Sequence, residues 1–280
     1  MNWRADSEKS WGKISKLLQT EPPDSDARLL VLAAHPDDET IGASALLSRF
    51  PHSFVVFLTD GAPRDTRLWS SGLNCSREEY ACIRQQEAEC ALKCAGVSAA
   101  NIFYLDAVDQ EATFAIARLT AALANLLERL CPAVVITHAY EGGHPDHDSA
   151  ALVARLALSM VSQRAGPPAM EMTSYHVRGG RCVTGEFLEQ HPARELRFEL
   201  LKKERERKRQ MMNAYASQRL VLEKFPADRE CLRLAPDYDF SKPPHEGRLW
   251  YECMDWPMTG SRWCELAVAA LAGLREHACH

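Results

Sequence analysis

Among its ten cysteines the 280-residue chain has no Cys-x-x-Cys pair, and the closest two, Cys90 and Cys94, lie four apart in a helical stretch. That spacing removes the zinc-ribbon and zinc-finger readings. The N-terminus, Met1-Asn2-Trp3-Arg4-Ala5-Asp6, lacks the apolar run of a signal peptide. Scattered thiols without such a signal point to a reducing cytosol. No membrane span is expected, because the most apolar helical stretch, Ser149 to Val161, is short and broken by Arg155. Basic residues are not in excess: 33 Lys and Arg face 38 Asp and Glu, for a net charge of -5, which argues against a nucleic-acid binder. Repeats, low-complexity tracts and an obvious linker are also missing. What remains is a cytoplasmic protein of ordinary composition, 46% hydrophobic and 25% charged. We expect one domain over residues 1–280, with a core at about 27–220 and a C-terminal elaboration at about 221–280.

The first half alternates two periods. Leu29 to Ala34 is a continuous apolar run, the pattern of a strand buried on both faces. A helix from about Glu39 to Phe50 follows, then a strand from Ser53 to Thr59 that Asp60-Gly61-Ala62-Pro63 ends. Arg77 to Ala95 reads as an amphipathic helix with Gly96 as its stop. Strands at Asn101 to Leu105 and Ala133 to Thr137 alternate with helices at Glu111 to Leu130 and Asp148 to Val161, and a fifth strand covers Met172 to Val177. This alternation predicts an α/β, Rossmann-like fold: a mainly parallel sheet with helices on both faces and a C-terminal α/β elaboration. Beyond it, Arg194 to Lys224 reads as one long helix, and its charged run from Lys202 to Arg209, with interleaved glutamates, as a solvated face. Residues 225–260 read as irregular with short strands, and Trp263 to His277 as a closing helix.

Two polar clusters each follow a buried strand: His35-Pro36-Asp37-Asp38-Glu39 after the first, and Gly142-Gly143-His144-Pro145-Asp146-His147-Asp148 after the fourth. Open α/β sheets bind ligands beyond the carboxyl ends of their strands, where strand order reverses. In the order 3-2-1-4-5, strands one and four flank that point, so the two clusters converge on one crevice. Either cluster alone would serve as a capped helix start or a polar turn. Together, after two buried strands, they suggest a metal. A catalytic zinc site takes three ligands from His and carboxylate and leaves a fourth position for water or substrate. His35, Asp38 and one or both of His144 and His147 supply that set. Asp37 is adjacent as a base, and a nearby histidine suits the developing oxyanion or the departing amine.

The motifs Ala34-His35-Pro36-Asp37-Asp38-Glu39 and His144-Pro145-Asp146-His147 resemble those of the LmbE-like or PIG-L family of zinc-dependent deacetylases, which act on N-acetylglucosamine conjugates. Thr59-Asp60-Gly61, Arg84 and Glu87 before Gly96-Val97, and Lys208 through Tyr215-Ala216-Ser217-Gln218 extend the resemblance over roughly residues 29 to 220. It implies that His35, Asp38 and His147 bind Zn2+, with Fe2+ able to use the same ligands. It further implies that Asp37 is the general base and that His144 stabilises the tetrahedral intermediate or protonates the amine. Asp146 would orient a histidine through its other ring nitrogen. Some family members carry a tyrosine two residues before the first histidine of the second motif; here that position is Gly142, with Tyr140 further upstream.

The expected partner is therefore a small glycoconjugate, with neither nucleic acid nor a membrane span involved and homo-oligomerisation left open. Loops 61–76 and 182–192 are expected to set specificity, with Arg64, Arg67 and Trp69, and also Tyr140, as candidate substrate contacts. An amidase on a thiol conjugate or an acylated antibiotic sugar would share the chemistry. A non-haem iron oxygenase would share the ligand types, but the adjacent Asp37 and the strand–loop–helix setting favour hydrolysis. A nucleotide-binding domain fits poorly: the first strand–helix turn has no Gly-x-Gly-x-x-Gly cradle and puts acidic residues where phosphates would dock.

Overall fold

A computed structural model describes residues 3–20, 23–24, 26–70, 73–161, 166–189 and 194–277. Helix α1 (Trp3–Gln19) leads into strand β1 (Leu29–Ala33), helix α2 (Asp38–Arg49) and strand β2 (Phe54–Thr59). Helix α3 (Arg77–Ala95), strand β3 (Ile102–Ala107), helix α4 (Ile116–Leu130), strand β4 (Val134–His138) and helix α5 (Pro145–Met160) follow. Next come strands β5 (Ala169–Met172), β6 (Tyr175–Arg178), β7 (Arg181–Thr184) and β8 (Glu195–Glu199), then helices α6 (Lys202–Ala214) and α7 (Arg219–Leu222). Strand β9 (Arg229–Leu234) and helices α8 (Trp250–Cys253) and α9 (Gly260–His277) complete the order.

Seven strands form one sheet in the order β3-β2-β1-β4-β5-β9-β8, and β6 and β7 make a separate hairpin. The pairings from β3 to β5 are parallel, while β9 runs antiparallel to both β5 and β8. The period of two explains why β1 is apolar at every position. Leu30, Leu32 and Ala34 point into one layer with α4, α5 and α9 residues such as Leu123, Leu152 and Trp263. Leu29, Val31 and Ala33 point into the other, with Ile14, Leu46, Leu92 and Met211. Among the described residues no helix is long and apolar enough to cross a membrane.

The expected elements of the first half are present, with small shifts. Gly96 stops α3 in the left-handed conformation at φ 84°, and Ser76 opens it with a capping box. Helix α5 begins at Pro145 rather than Asp148, so the second motif lies on its first turn. Two expectations fail further on. The single strand from Met172 to Val177 is two strands, because Thr173 and Ser174 turn the chain out of the sheet into the β6–β7 hairpin. The long helix over 194–224 is also not formed: residues 195–199 alternate exposure and pair with β9, so sheet pairing overrides helical propensity there. Helix α6 then ends at Tyr215, whose hydroxyl donates to the Glu39 carboxylate at 2.7 Å.

The charged face of α6 holds one exception. Lys208 is fully buried, its ammonium donating to the Ile41 carbonyl at 2.7 Å and to Glu230 at 3.1 Å. The pair ties α6 and β9 to α2, the helix that follows the first motif. Removing one partner of a buried pair leaves the other charge uncompensated, at a cost of about 3–5 kcal/mol. Lys208→Met should therefore lower unfolding free energy by about that much in chemical denaturation, and a loss below about 1 kcal/mol would show that the pair does not brace α2.

Candidate metal and acid–base site

Strands β1 and β4 are neighbours in the sheet, and both motifs leave their carboxyl ends. His35-Pro36-Asp37 turns the chain into α2, and Asp37 adopts φ 126°, a left-handed conformation that is strained for a residue with a Cβ. Its surroundings hold it there. The Asp37 amide donates to Glu39 Oε2 at 3.0 Å, and Arg84 Nη2 donates to Asp37 Oδ2 at 3.0 Å and also to the Pro36 carbonyl. Arg84 comes from α3 and is buried. Glu87, a turn further on, accepts from the Ser217 amide at 2.7 Å. The weaker motif residues thus converge behind Asp37.

The second motif is set by helix capping. His144 is the N-cap of α5, and its Nδ1 accepts from the Asp146 amide at 3.1 Å. A neutral His144 therefore carries its single ring proton on Nε2. Asp148 Oδ1 accepts from the Gly142 amide at 3.0 Å and closes the loop behind it. Gly143 has no room for a side chain, since a Cβ would lie 2.0 Å from the Tyr175 carbonyl oxygen.

Across the crevice, His147 Nε2 lies 3.3 Å from Asp38 Oδ1, and His35 Nδ1 lies 3.2 Å from Asp38 Oδ2. The other ring nitrogen of His35 is 3.3 Å from Asp146 Oδ2 and 3.2 Å from Asp109 Oδ1. Asp146 is itself held by the Gln110 and Ala112 amides. Two residues that sequence reasoning missed complete the cluster. His138, the last residue of β4, accepts from the Ala34 amide through Nε2 at 3.0 Å and stacks on His147 at 4.0 Å. Asp109, just past β3, also lies 3.7 Å from His144 Nε2. Both follow the carboxyl end of a parallel strand, and that position was the available signal.

Among the described residues, two sets of side chains bring their donor atoms within 4.8 Å of one another: His35, Asp38 and His147, and His35, Asp109, His144 and Asp146. The first fits a cation. Asp38 sits between the two histidines, its Oδ2 3.2 Å from His35 Nδ1 and its Oδ1 3.3 Å from His147 Nε2, and imidazole and carboxylate are donor types that zinc takes. Burial, partly opposed by Asp38, pushes His147 down to about 3 and leaves its lone pair free. Asp38 is held well below the usual carboxylate range, against burial, by His147 and His138. The second set fits poorly, because the Nδ1 lone pair of His144 is taken by a backbone amide and its Nε2 carries the proton. The crevice is also rich in negative charge. Burial pushes Asp37 up to about 7 despite Arg84, and His35 is raised well above its ordinary range, against burial, by Asp109, Asp146 and Asp38. A divalent cation would supply the countercharge that protonated His35 supplies here.

Each of the four candidate substrate contacts has a partner within the chain. Arg64 is ion-paired with Glu111 at 2.6 Å and Arg67 with Asp65 at 2.6 Å, both on the surface. Trp69 stacks on Tyr80 at 4.5 Å and, with Arg67, lines a cavity of about 410 Å³ in the 61–76 loop. Tyr140 is buried among Tyr238, Phe240 and Trp263, with its hydroxyl donating to the Lys242 carbonyl, and none of these contacts belongs to the histidine cluster. Residues 71–72 and 190–193 of the two expected specificity loops lie outside the described residues.

Known proteins show the same arrangement of strands and helices. The N,N'-diacetylchitobiose deacetylase of Pyrococcus horikoshii is 19% identical, with a TM-score of 0.57 over 80% of this chain and 83% of that one. The deacetylase Dbv21, which acts on the A40926 pseudoaglycone, is 19% identical, with a TM-score of 0.57 over 77% of this chain and 99% of its own. GalB, the 4-carboxy-2-hydroxymuconate hydratase of Pseudomonas putida KT2440, is 18% identical, with a TM-score of 0.54 over 76% and 98%. At these identities the likeness establishes the fold. No curated protein matches the chain in sequence. The family described as PIG-L: GlcNAc-PI de-N-acetylase matches residues 30–158, the segment that carries both motifs. Over residues 30–158 the chain is thus similar to the PIG-L family.

Proposed function

We propose that the protein is a zinc-dependent hydrolase that removes an acetyl group from the amide nitrogen of an N-acetylglucosamine conjugate. The reading also takes in an acylated antibiotic sugar or a thiol conjugate as the carrier of that amide. One observation carries it: the His35, Asp38 and His147 donors converge beside Asp37, a carboxylate held in place by Arg84 but not itself among the ligands. The same ligands would take Fe2+, and ten scattered cysteines with no Cys-x-x-Cys pair fit a cytosolic setting.

A zinc ion on these three ligands would polarise the acyl carbonyl and acidify a water beside it. The chain's own residues do the rest. Asp37 accepts the proton of the attacking water, and its φ of 126° with the Arg84 contact fixes where it does so. His144 presents its Nε2 proton for transfer to the departing amine, in the tautomer set by the Asp146 amide. Asp146 orients His35 through the ring nitrogen turned away from Asp38. No side chain is acylated, so the products are acetate and a free amine.

Two experiments follow. Metal analysis of reconstituted protein should find about one zinc per chain, lost in His147→Gln but kept in His144→Gln. Retention by the first and loss by the second would reverse the choice between the two donor sets. Asp37→Ala should keep its zinc while acetate release falls by at least about 10²-fold, the usual contribution of a positioned base. Full activity in that variant would remove Asp37 from the mechanism.

A further inference from the structure

The site as described has one proton for two tasks. His144 accepts from a backbone amide at Nδ1, so only Nε2–H is available, and it cannot protonate the leaving amine while also donating to the oxyanion. Amide hydrolysis passes through a tetrahedral oxyanion, and a fixed donor aimed at it is among the largest catalytic contributions. A zinc ion on His35, Asp38 and His147 would polarise that oxygen from one side, and a protein donor on another side would add to it.

Of the seven tyrosines, Tyr104 and Tyr251 hold buried hydroxyls without a hydrogen-bond partner among the described residues and stack on none of the site histidines, and four others are already engaged. Tyr140 donates to the Lys242 carbonyl, Tyr215 to Glu39 and Tyr238 to Glu171, while Tyr80 accepts from Gln218. Tyr175 is different. It opens β6, where the hairpin leaves the sheet, and its ring stands edge-on to His147 with centroids 5.2 Å apart. Its backbone lies against the second motif so closely that Gly143 must be glycine. It is only half-buried, and its hydroxyl makes no hydrogen bond among the described residues.

We infer that Tyr175 is a further catalytic residue, whose hydroxyl donates to the oxyanion of the tetrahedral intermediate while His144 serves the amine. The inference rests on the deacetylase reading above. It also makes the β6–β7 hairpin, which lies outside residues 30–158, part of the catalytic machinery.

Tyr175→Phe keeps the ring on His147 and removes only the hydroxyl. With zinc-loaded protein and methyl N-acetylglucosaminide as probe, kcat should fall about 10²–10³-fold with KM changed less than about twofold. Zinc content and melting temperature should match wild type. A methylphosphonamidate analogue of the acetamide, which mimics the tetrahedral state, should bind the variant at least about tenfold more weakly, while the N-acetyl sugar binds both alike. Wild-type kcat and phosphonamidate affinity in Tyr175→Phe would overturn the role of Tyr175 alone. A zinc-loaded wild type that neither releases acetate nor binds the phosphonamidate would overturn the deacetylase reading, and this inference with it.

Discussion

Burying negative charge is the constraint around which this molecule is arranged. Asp37, Asp38 and Asp146 are buried and Asp109 is partly so, and all four reach the crevice beyond β1, β3 and β4. Isolated carboxylates taken out of water cost several kcal/mol each unless paired or hydrogen-bonded. The structure meets that cost in several ways. Arg84 faces Asp37, backbone amides of Gln110 and Ala112 face Asp146, and His138 and His147 face Asp38. His35 sits between Asp38 on one ring nitrogen and Asp109 and Asp146 on the other. A cation held by His35, Asp38 and His147 would offset the remaining excess, and so charge balance and catalysis ask for the same ion.

The parts distant from the crevice serve its geometry. Asp37 keeps a strained backbone because Arg84, Glu39 and Tyr215 form a chain of contacts from α3 through the turn to the end of α6. Lys208 and Glu230 fix α6 and β9 against α2 from behind. Residues beyond the family-matched segment also reach the site: Trp256 packs edge-on to His144 at 4.7 Å, and Leu249 fills the space over Gly142. The same fold carries deacetylases and a hydratase, so the reaction is decided by side chains at the crevice and not by the sheet.

What could be read from the sequence follows from how local each signal is. The all-apolar run at Leu29 to Ala34 could only be a strand covered on both faces, and β1 lies between β2 and β4. The two motifs met because each directly follows such a strand. Residues 195–199 were legible only through their pairing with β9, a partner some thirty residues away, and read locally as helix. Likewise His138, Asp109 and Tyr175 carry no motif of their own. Their roles come from the ends of β4, β3 and the start of β6, which only the assembled sheet brings together. Arg64, Arg67 and Trp69 pair with Glu111, Asp65 and Tyr80, and two of those three partners lie outside the loop, where its sequence alone does not announce them.

The proposed reaction in this buried carboxylate–histidine crevice is hydrolysis of an amide by metal-activated water. Its most direct test is product analysis from zinc-loaded protein and an N-acetylglucosamine conjugate, in oxygen-free buffer made with 18O water. Acetate and free amine are expected in equal amounts, with one 18O atom in each acetate. No acetate from protein shown to carry zinc, or product formed only when dioxygen is admitted, would contradict it.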